Sequence, residues 1–113
     1  PQGNQESLLV VTKEITLALR RFRALLEKEG TRVSKLILYG SRATGRHRRD
    51  SDIDVAVISP DFGRDRYEDG VRLFQLACSI DPRLEPVPIS LASYKKDTWV
   101  PLIYEIRMHG VEI

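Results

Sequence analysis

The sequence predicts an α/β (α+β) fold, a small mixed β-sheet with helices packed on one face. The first observation is the order of apolar patterns along the chain: helix, strand, strand, helix, strand, helix. The second is that only a loop separates the first two strands, which favours an antiparallel pair. The third is that a helix joins the second and third strands, which favours a parallel pair with a right-handed crossover. The length of 113 residues suits one domain, so residues 1–113 are predicted to form a single unit.

The first helix is predicted over Glu6–Glu29, because apolar residues recur there at steps of three and four. Gly30 follows as a suitable C-terminal stop. The predicted apolar stripe consists of Leu8, Val11, Ile15, Leu19, Phe22 and Leu26.

Three strands and two further helices are predicted downstream. The strands are "RVSKLILYG", the β-branched "SDIDVAVIS" and "RLEPVPISL"; the helices are "RDRYEDGVRLFQLACSI" and "PLIYEIRMHG". The final "VEI" is expected to add a few extended residues. Pro86 and Pro88 cannot donate ladder hydrogen bonds, so the third strand is placed at a sheet edge. The core side of the second helix is predicted to include Tyr67, Val71, Phe74, Leu76 and Ala77.

Composition narrows the function classes. The net charge of +2 is too small to indicate binding to nucleic acid or a membrane by itself. The single cysteine, Cys78, excludes an intrachain disulfide or a cysteine-rich zinc site and is expected to be buried. No apolar run approaches the ~18 residues of a membrane span, and no secretory signal is visible, so a cytoplasmic location is expected.

The second strand carries two carboxylates on one face. Asp52 and Asp54 are one residue apart, and side chains alternate across a strand, whereas Ile53, Val55 and Val57 point into the core. Two carboxylates within ~7 Å of each other repel, and a divalent cation relieves that repulsion. Oxygen ligands favour Mg²⁺ or Mn²⁺ over zinc.

Two neighbouring segments complete the constellation. If the third strand lies beside the second, Glu85 comes alongside the aspartate pair, and three carboxylates can hold two metal ions ~3.5–4 Å apart. Upstream, Gly40 permits a tight turn whose N–H groups, with the Ser41 hydroxyl, can face an anion. Arg42 can add charge to the same phosphates. The stretch Tyr39–Asp54 therefore predicts a site for a polyphosphate and its metal ions.

The motif "LYGSRATGRHRRDSDIDVAVIS" resembles the DNA polymerase β-like nucleotidyltransferases, whose pattern is Gly-Ser, a spacer and D-x-D. It is most similar to the minimal nucleotidyltransferases, which often accompany a HEPN-domain protein as an antitoxin–toxin pair. The resemblance implies a palm-like fold. It also implies nucleotide binding by Gly40 and Ser41 and metal binding by Asp52, Asp54 and Glu85, with glutamate where aspartate is commoner.

The resemblance further implies Mg²⁺·ATP as substrate and transfer of AMP to a hydroxyl, which can be a tyrosine of the HEPN partner. Two alternatives stay open. The chain could be a non-catalytic antitoxin that neutralises its partner by forming a complex, or a nucleotidyltransferase acting on a small molecule or RNA. A second copy of the chain could supply part of a substrate site, although the prolines argue against pairing through the third strand.

Overall fold

The structure is a computed structural model that describes residues 11–113. Its helices are α1 (Lys13–Lys28), α2 (Ser41–Thr44), α3 (Arg66–Cys78), α4 (Leu91–Lys96) and α5 (Pro101–His109). Its strands are β1 (Lys35–Tyr39), β2 (Ile53–Ser59), β3 (Leu84–Ser90) and β4 (Val111–Glu112). The α/β class predicted from the sequence is confirmed.

The strands form one mixed sheet in the order β3-β2-β1-β4. β1 and β2 are antiparallel, and β2 and β3 are parallel, as the lengths of their connections predicted. β3 lies at an edge, also as predicted. The extended "VEI" adds a two-residue antiparallel partner beside β1.

Helix α1 begins one residue after Thr12, whose side chain accepts a hydrogen bond from the amide of Ile15 at 3.3 Å. Residues 11 and 12 are therefore not helical, although the predicted helix included them. The part of that prediction over residues 6–10, including Leu8, lies outside the described residues. The helix buries a stripe of four residues at steps of four, three and four: Ile15, Leu19, Phe22 and Leu26.

Helices cover both faces of the sheet, whereas the sequence predicted cover on one. α1 and α3 pack against the face that carries Leu38, Val55 and Val57. On the opposite face, Ile37 and Ile58 pack against α5, in a second core with Ala56, Ile89, Ile103 and Ile106. The reason is that "LIL" in β1 and "VAVI" in β2 are apolar on both sides, so the second side also needs cover.

The packed face of α3 is Leu73 and Ala77, one helical turn apart. Tyr67 and Phe74 were predicted to be core residues but are 76% and 56% exposed. Phe74 is about 100° around the helix from Leu73, which turns it to solvent. Cys78, which follows Ala77, is exposed for the same reason, contrary to expectation.

Helix α4 was not predicted, because Leu91 was read as the end of the third strand. Ser90 ends that strand and caps the helix, since its hydroxyl accepts a hydrogen bond from the amide of Ser93 at 3.1 Å. Within residues 11–113, no helix has the length and apolar character needed to cross a membrane.

Candidate active site

Strand β2 places the two aspartates at its start. Asp52 directly precedes the strand, and Asp54 is its second residue. Ile53, Val55 and Val57 are fully buried in the core beneath α1 and α3. Because side chains alternate, Asp54 faces the other way, on the side that carries Ala56 and Ile58.

The sheet register gives Asp54 two neighbours in one row. Tyr39 of β1 is its antiparallel partner, and Glu85 of β3 is its parallel partner. Residues at matching positions of adjacent strands project from the same face of the sheet. The structure thus brings Glu85 beside Asp54, as the sequence predicted, and adds Tyr39, which sequence reasoning treated only as the end of a strand.

The charges in this row act on one another. Partial burial raises the pKa of Asp54, and the carboxylates of Asp52 and Glu85 raise it further. Burial, with the same Asp54 and Glu85 charges, raises the pKa of Tyr39 to about 12. Asp52, Asp54 and Glu85 form a carboxylate row. Asp52 and Glu85 are exposed and Asp54 is half-buried, so negative charge collects on an accessible part of the sheet.

The turn after β1 passes directly against this row. Gly40 has φ 74° and ψ −152°, a region open almost only to glycine. A Cβ atom at this position would overlap the Asp54 carboxylate oxygen Oδ2. The backbone of Gly40 therefore lies immediately beside Asp54, and both predicted halves of the site meet at one end of the sheet.

Ser41 opens α2, a single helical turn where the sequence predicted a simple tight turn. Gly40 is the N-cap residue, and Gly45, in the left-handed region at φ 78°, ends the turn. The carbonyl of Gly40 accepts hydrogen bonds from the amides of Ala43 and Thr44. Ser41 is half-buried in this first turn, adjacent to the carboxylate row.

The side chain of Arg42 was predicted to bind phosphate, but it is buried against the loop before β2 and is not an exposed cation beside the carboxylate row. Its exposed fraction is only 5%, and its guanidinium donates hydrogen bonds to backbone carbonyls of residues 48–52. A direct phosphate contact requires a guanidinium that reaches the surface. The structure therefore gives Arg42 a different position from the one that its place in the motif suggested.

The donor set suits a hard divalent cation, because all three side chains are carboxylates. Partial burial, together with the charges of Asp52 and Glu85, raises the pKa of Asp54. Within residues 11–113, however, no three His, Cys, Asp or Glu side chains are gathered closely enough to form a ready metal site. Asp52, Asp54 and Glu85 are neighbours in the row, and metal binding would require their side chains to close together.

Asp54→Asn is expected to stabilise the metal-free protein by about 0.2–1 kcal/mol, the range for a charge pair across neighbouring strands. Folding raises the pKa of Asp54, so the folded chain holds this proton more tightly than the unfolded chain. The ionised carboxylate therefore lowers stability as the pH rises from the unfolded pKa to the higher folded pKa, and the advantage of the variant should grow across that window and stay constant above it.

Urea unfolding at several pH values in the presence of a chelator measures this difference. Asp50→Asn is the matched control, since Asp50 is exposed in the loop before the strand. An Asp54→Asn variant that is less stable than the wild type at neutral pH would show that the carboxylate row is not repulsive.

A cavity of about 310 Å³ lies apart from the row, at the far end of β3. Its lining includes Val87, Ser90 and Val100, and none of the three carboxylates belongs to it. The three carboxylates therefore lie outside this cavity, and Asp52 and Glu85 are exposed.

Comparison with known proteins agrees with this geometry. A family model described as a nucleotidyltransferase domain matches residues 19–110, a range that includes the Gly40 turn and all three carboxylates. None of the curated proteins matches the sequence significantly.

Three solved structures are similar. A toxin–antitoxin structure determined with AMP-PNP is 26% identical, with a TM-score of 0.57 over 82% of this chain and 69% of that chain. The MntA–HepT toxin–antitoxin structure is 21% identical, with a TM-score of 0.56 over 86% of this chain and 69% of that chain. A mutant of such a complex is 24% identical, with a TM-score of 0.56 over 82% and 69%. At 21% and 24% identity, the likeness to the last two structures supports a shared fold and nothing further.

The resemblance seen in the motif is thus confirmed by a match that spans most of the sequence and by the fold of the similar structures. The Gly-Ser turn, the D-x-D pair and the sheet that joins them all fall within the matched range. This chain belongs to the nucleotidyltransferase domain family.

Proposed function

We propose that this chain is a metal-dependent nucleotidyltransferase that transfers AMP from ATP to a hydroxyl group of a partner protein. The observation that carries the proposal is the contact between the Gly40 turn and the Asp54 carboxylate, with Glu85 in register beside it. A phosphate-binding turn and a row of carboxylates meet there, which is the pairing that transfer from a metal-bound triphosphate needs.

Each part of the site has a distinct role. Gly40 and Ser41 hold the triphosphate, because the amides of a first helical turn lack partners within the helix and can face an anion. Asp52, Asp54 and Glu85 would hold the divalent metal ions, two Mg²⁺ or Mn²⁺, once their side chains close together. When bound, the metal neutralises charge on the triphosphate and lowers the pKa of the acceptor hydroxyl.

The reaction is an in-line displacement. The acceptor oxygen forms a bond to the α-phosphorus, and the bond from that phosphorus to the bridging oxygen of the β-phosphate breaks. Pyrophosphate leaves with the electron pair of that bond, and the hydroxyl proton passes to a carboxylate of the row or to water. Through the divalent metal that they would hold, Asp52 and Asp54 would align the α-phosphate for attack, while the Gly40 turn would retain the departing pyrophosphate.

The acceptor is proposed to be a tyrosine or another hydroxyl of a HEPN-domain partner. The similar structures are toxin–antitoxin complexes, and one of them was determined with AMP-PNP, an analogue of ATP. The open carboxylate row also suits a large acceptor, because a protein surface can cover it from outside.

A second candidate is a binding module that neutralises its partner without chemistry. It is favoured by large apolar side chains near and on α5 that are exposed: Trp99 at 78%, Tyr104 at 56% and Met108 at 58%. Tyr104 and Met108 are four residues apart, so they lie on the same face of the helix.

ATP carrying a radiolabel on either the α- or the γ-phosphate tests the proposal. The chain is incubated with Mg²⁺, labelled ATP and the protein encoded by the neighbouring gene. Only the α-label should become attached to the partner, and the γ-label should appear in pyrophosphate. Attachment of the γ-label would indicate a kinase, and attachment of neither label while the complex forms would favour the binding module.

A further inference from the structure

We infer that Arg42 is a positioning residue, which ties α2 to the loop of residues 48–52 and thereby fixes Asp52 at the start of β2. The inference rests on the proposed function, since Asp52 is there a metal ligand. It replaces the direct phosphate contact that the motif suggested for Arg42.

The guanidinium is bound to the loop through its backbone. Its Nη2 atom donates to the carbonyl of Ser51 at 2.9 Å, of Arg49 at 3.1 Å and of Arg48 at 3.4 Å. Its Nε atom donates to the carbonyls of Ser51 at 3.2 Å and Asp52 at 3.3 Å. The last of these carbonyls belongs to the proposed metal ligand itself.

The loop is already folded into a turn around this side chain. The hydroxyl of Ser51 accepts a hydrogen bond from the amide of Arg48 at 2.7 Å, and the amide of Ser51 donates to the carbonyl of Arg48 at 3.1 Å. The side chains of Arg48 and Arg49 are exposed, while their carbonyls point inwards to Arg42. Arg83 Nη1 also donates to the Arg49 carbonyl, at 3.5 Å, so α2 supplies the shorter of the two side-chain hydrogen bonds to that carbonyl.

The hydrogen bonds to several backbone carbonyls require an arginine at position 42. Among the described residues, no carboxylate forms a salt bridge with Arg42, so its buried charge is compensated by carbonyl dipoles. A guanidinium holds five N–H donors in a rigid plane and reaches several carbonyls together, which a single ammonium cannot do. At 5% exposure the group has little surface left for a phosphate.

The position of Arg42 also explains why it follows the phosphate-binding turn. Gly40 and Ser41 begin the α2 turn, and the Arg42 side chain of the same turn reaches the loop before the D-x-D pair. Arg42 therefore connects the two halves of the site, so that the turn and Asp52 keep a fixed separation. Misplacement of a reacting group by about 1 Å can cost about 10²-fold in rate.

Limited trypsin digestion of the metal-free protein tests the tie without needing activity. In Arg42→Met, cleavage after Arg48 and Arg49 should accelerate by about tenfold or more, because their carbonyls lose the guanidinium donor. Each then keeps one partner, the Ser51 amide at 3.1 Å for Arg48 and Arg83 Nη1 at 3.5 Å for Arg49. Arg46→Met is the control: Arg46 is exposed, two residues before this loop, and its side chain donates to the Thr44 hydroxyl at 3.3 Å and to no carbonyl of the loop. Its cleavage rates after Arg48 and Arg49 should match those of the wild type.

Kinetics test the consequence for the site. In Arg42→Lys and Arg42→Met, kcat for AMP transfer should fall about 10–100-fold, as for loss of a group that supports a metal ligand. KM for ATP should change by less than about threefold, and more Mg²⁺ should be needed for half-maximal rate. Arg42→Lys keeps the charge and most of the volume, so it serves if Arg42→Met fails to fold.

Two results would overturn the inference. One is a loop that resists trypsin as well as the wild type while KM for ATP rises tenfold or more, since Arg42 would then bind phosphate directly. The other is a loosened loop with unchanged kcat, since the tie would then have no bearing on Asp52. Failure of the proposed function is distinguishable from both, because the wild type would then transfer no label while the digestion pattern still reports on the tie.

Discussion

Replacing both Asp52 and Asp54 with asparagine is expected to lower AMP transfer by about 10³-fold or more while leaving the protein folded. The two residues supply most of the negative charge at the start of β2, and asparagine removes that charge at nearly constant volume. Without it, the metal that stabilises the triphosphate and the attacking oxygen is no longer held. Transfer of α-phosphate label to the partner, measured over time at saturating Mg²⁺, gives the rate.

Asp50→Asn is the matched control, because Asp50 lies two residues before Asp52 and is exposed in the loop. Its transfer rate should stay within about twofold of the wild type. The double variant should still form the complex, because its apolar surface is unchanged. Full transfer by the double variant would remove the proposed roles of these aspartates. Full neutralisation of the proposed partner by an inactive variant would favour the binding module.

Gly40→Ala is expected to reduce both stability and transfer. The backbone at φ 74° and ψ −152° is strained for any residue with a Cβ atom, at a cost of about 1–3 kcal/mol. The new methyl group would also overlap the Asp54 carboxylate and force the turn and the carboxylate apart. We therefore expect a transfer rate about 10²-fold lower even below the melting temperature.

Gly70→Ala is the control for this substitution. Gly70 lies within α3, where an added Cβ atom meets nothing within 4 Å. This change should stabilise the protein by about 0.5–1 kcal/mol, the usual gain for alanine in a helix interior. Thermal unfolding and the labelling assay on both variants separate the two cases. A Gly40→Ala variant with wild-type stability and rate would show that the turn can move away from Asp54 without consequence.

Much of the architecture could be predicted because it follows from chain connectivity and alternation. A loop between β1 and β2 leaves little choice but antiparallel pairing, and a helix between β2 and β3 favours the parallel pair. The same alternation placed Asp54 opposite Val55, on the face away from the α1 core. Once β3 lay beside β2, Glu85 fell next to Asp54 in register.

The position of Arg42 could not be predicted, because the segment contains four arginines and composition does not show which one is buried. Only the folded loop, which brings the carbonyls of Arg49 and Ser51 around one guanidinium, distinguishes Arg42 from its neighbours. The second core escaped prediction for a similar reason. Because β1 is apolar on both faces, its sequence does not show which helix packs on each face.

Both edge strands of the sheet, β3 and β4, are poorly suited to pair with a further strand. In β3, alternate residues direct their amides to β2, and the residues between them direct theirs to the free edge. Pro86 and Pro88 belong to the second set, so the free edge of β3 lacks two hydrogen-bond donors. The other edge strand is β4, which is only two residues long. Extension of the sheet by an incoming strand is therefore disfavoured, which guards against fibre-like stacking. Within residues 11–113, both edges of the sheet therefore favour recognition of a partner through side chains.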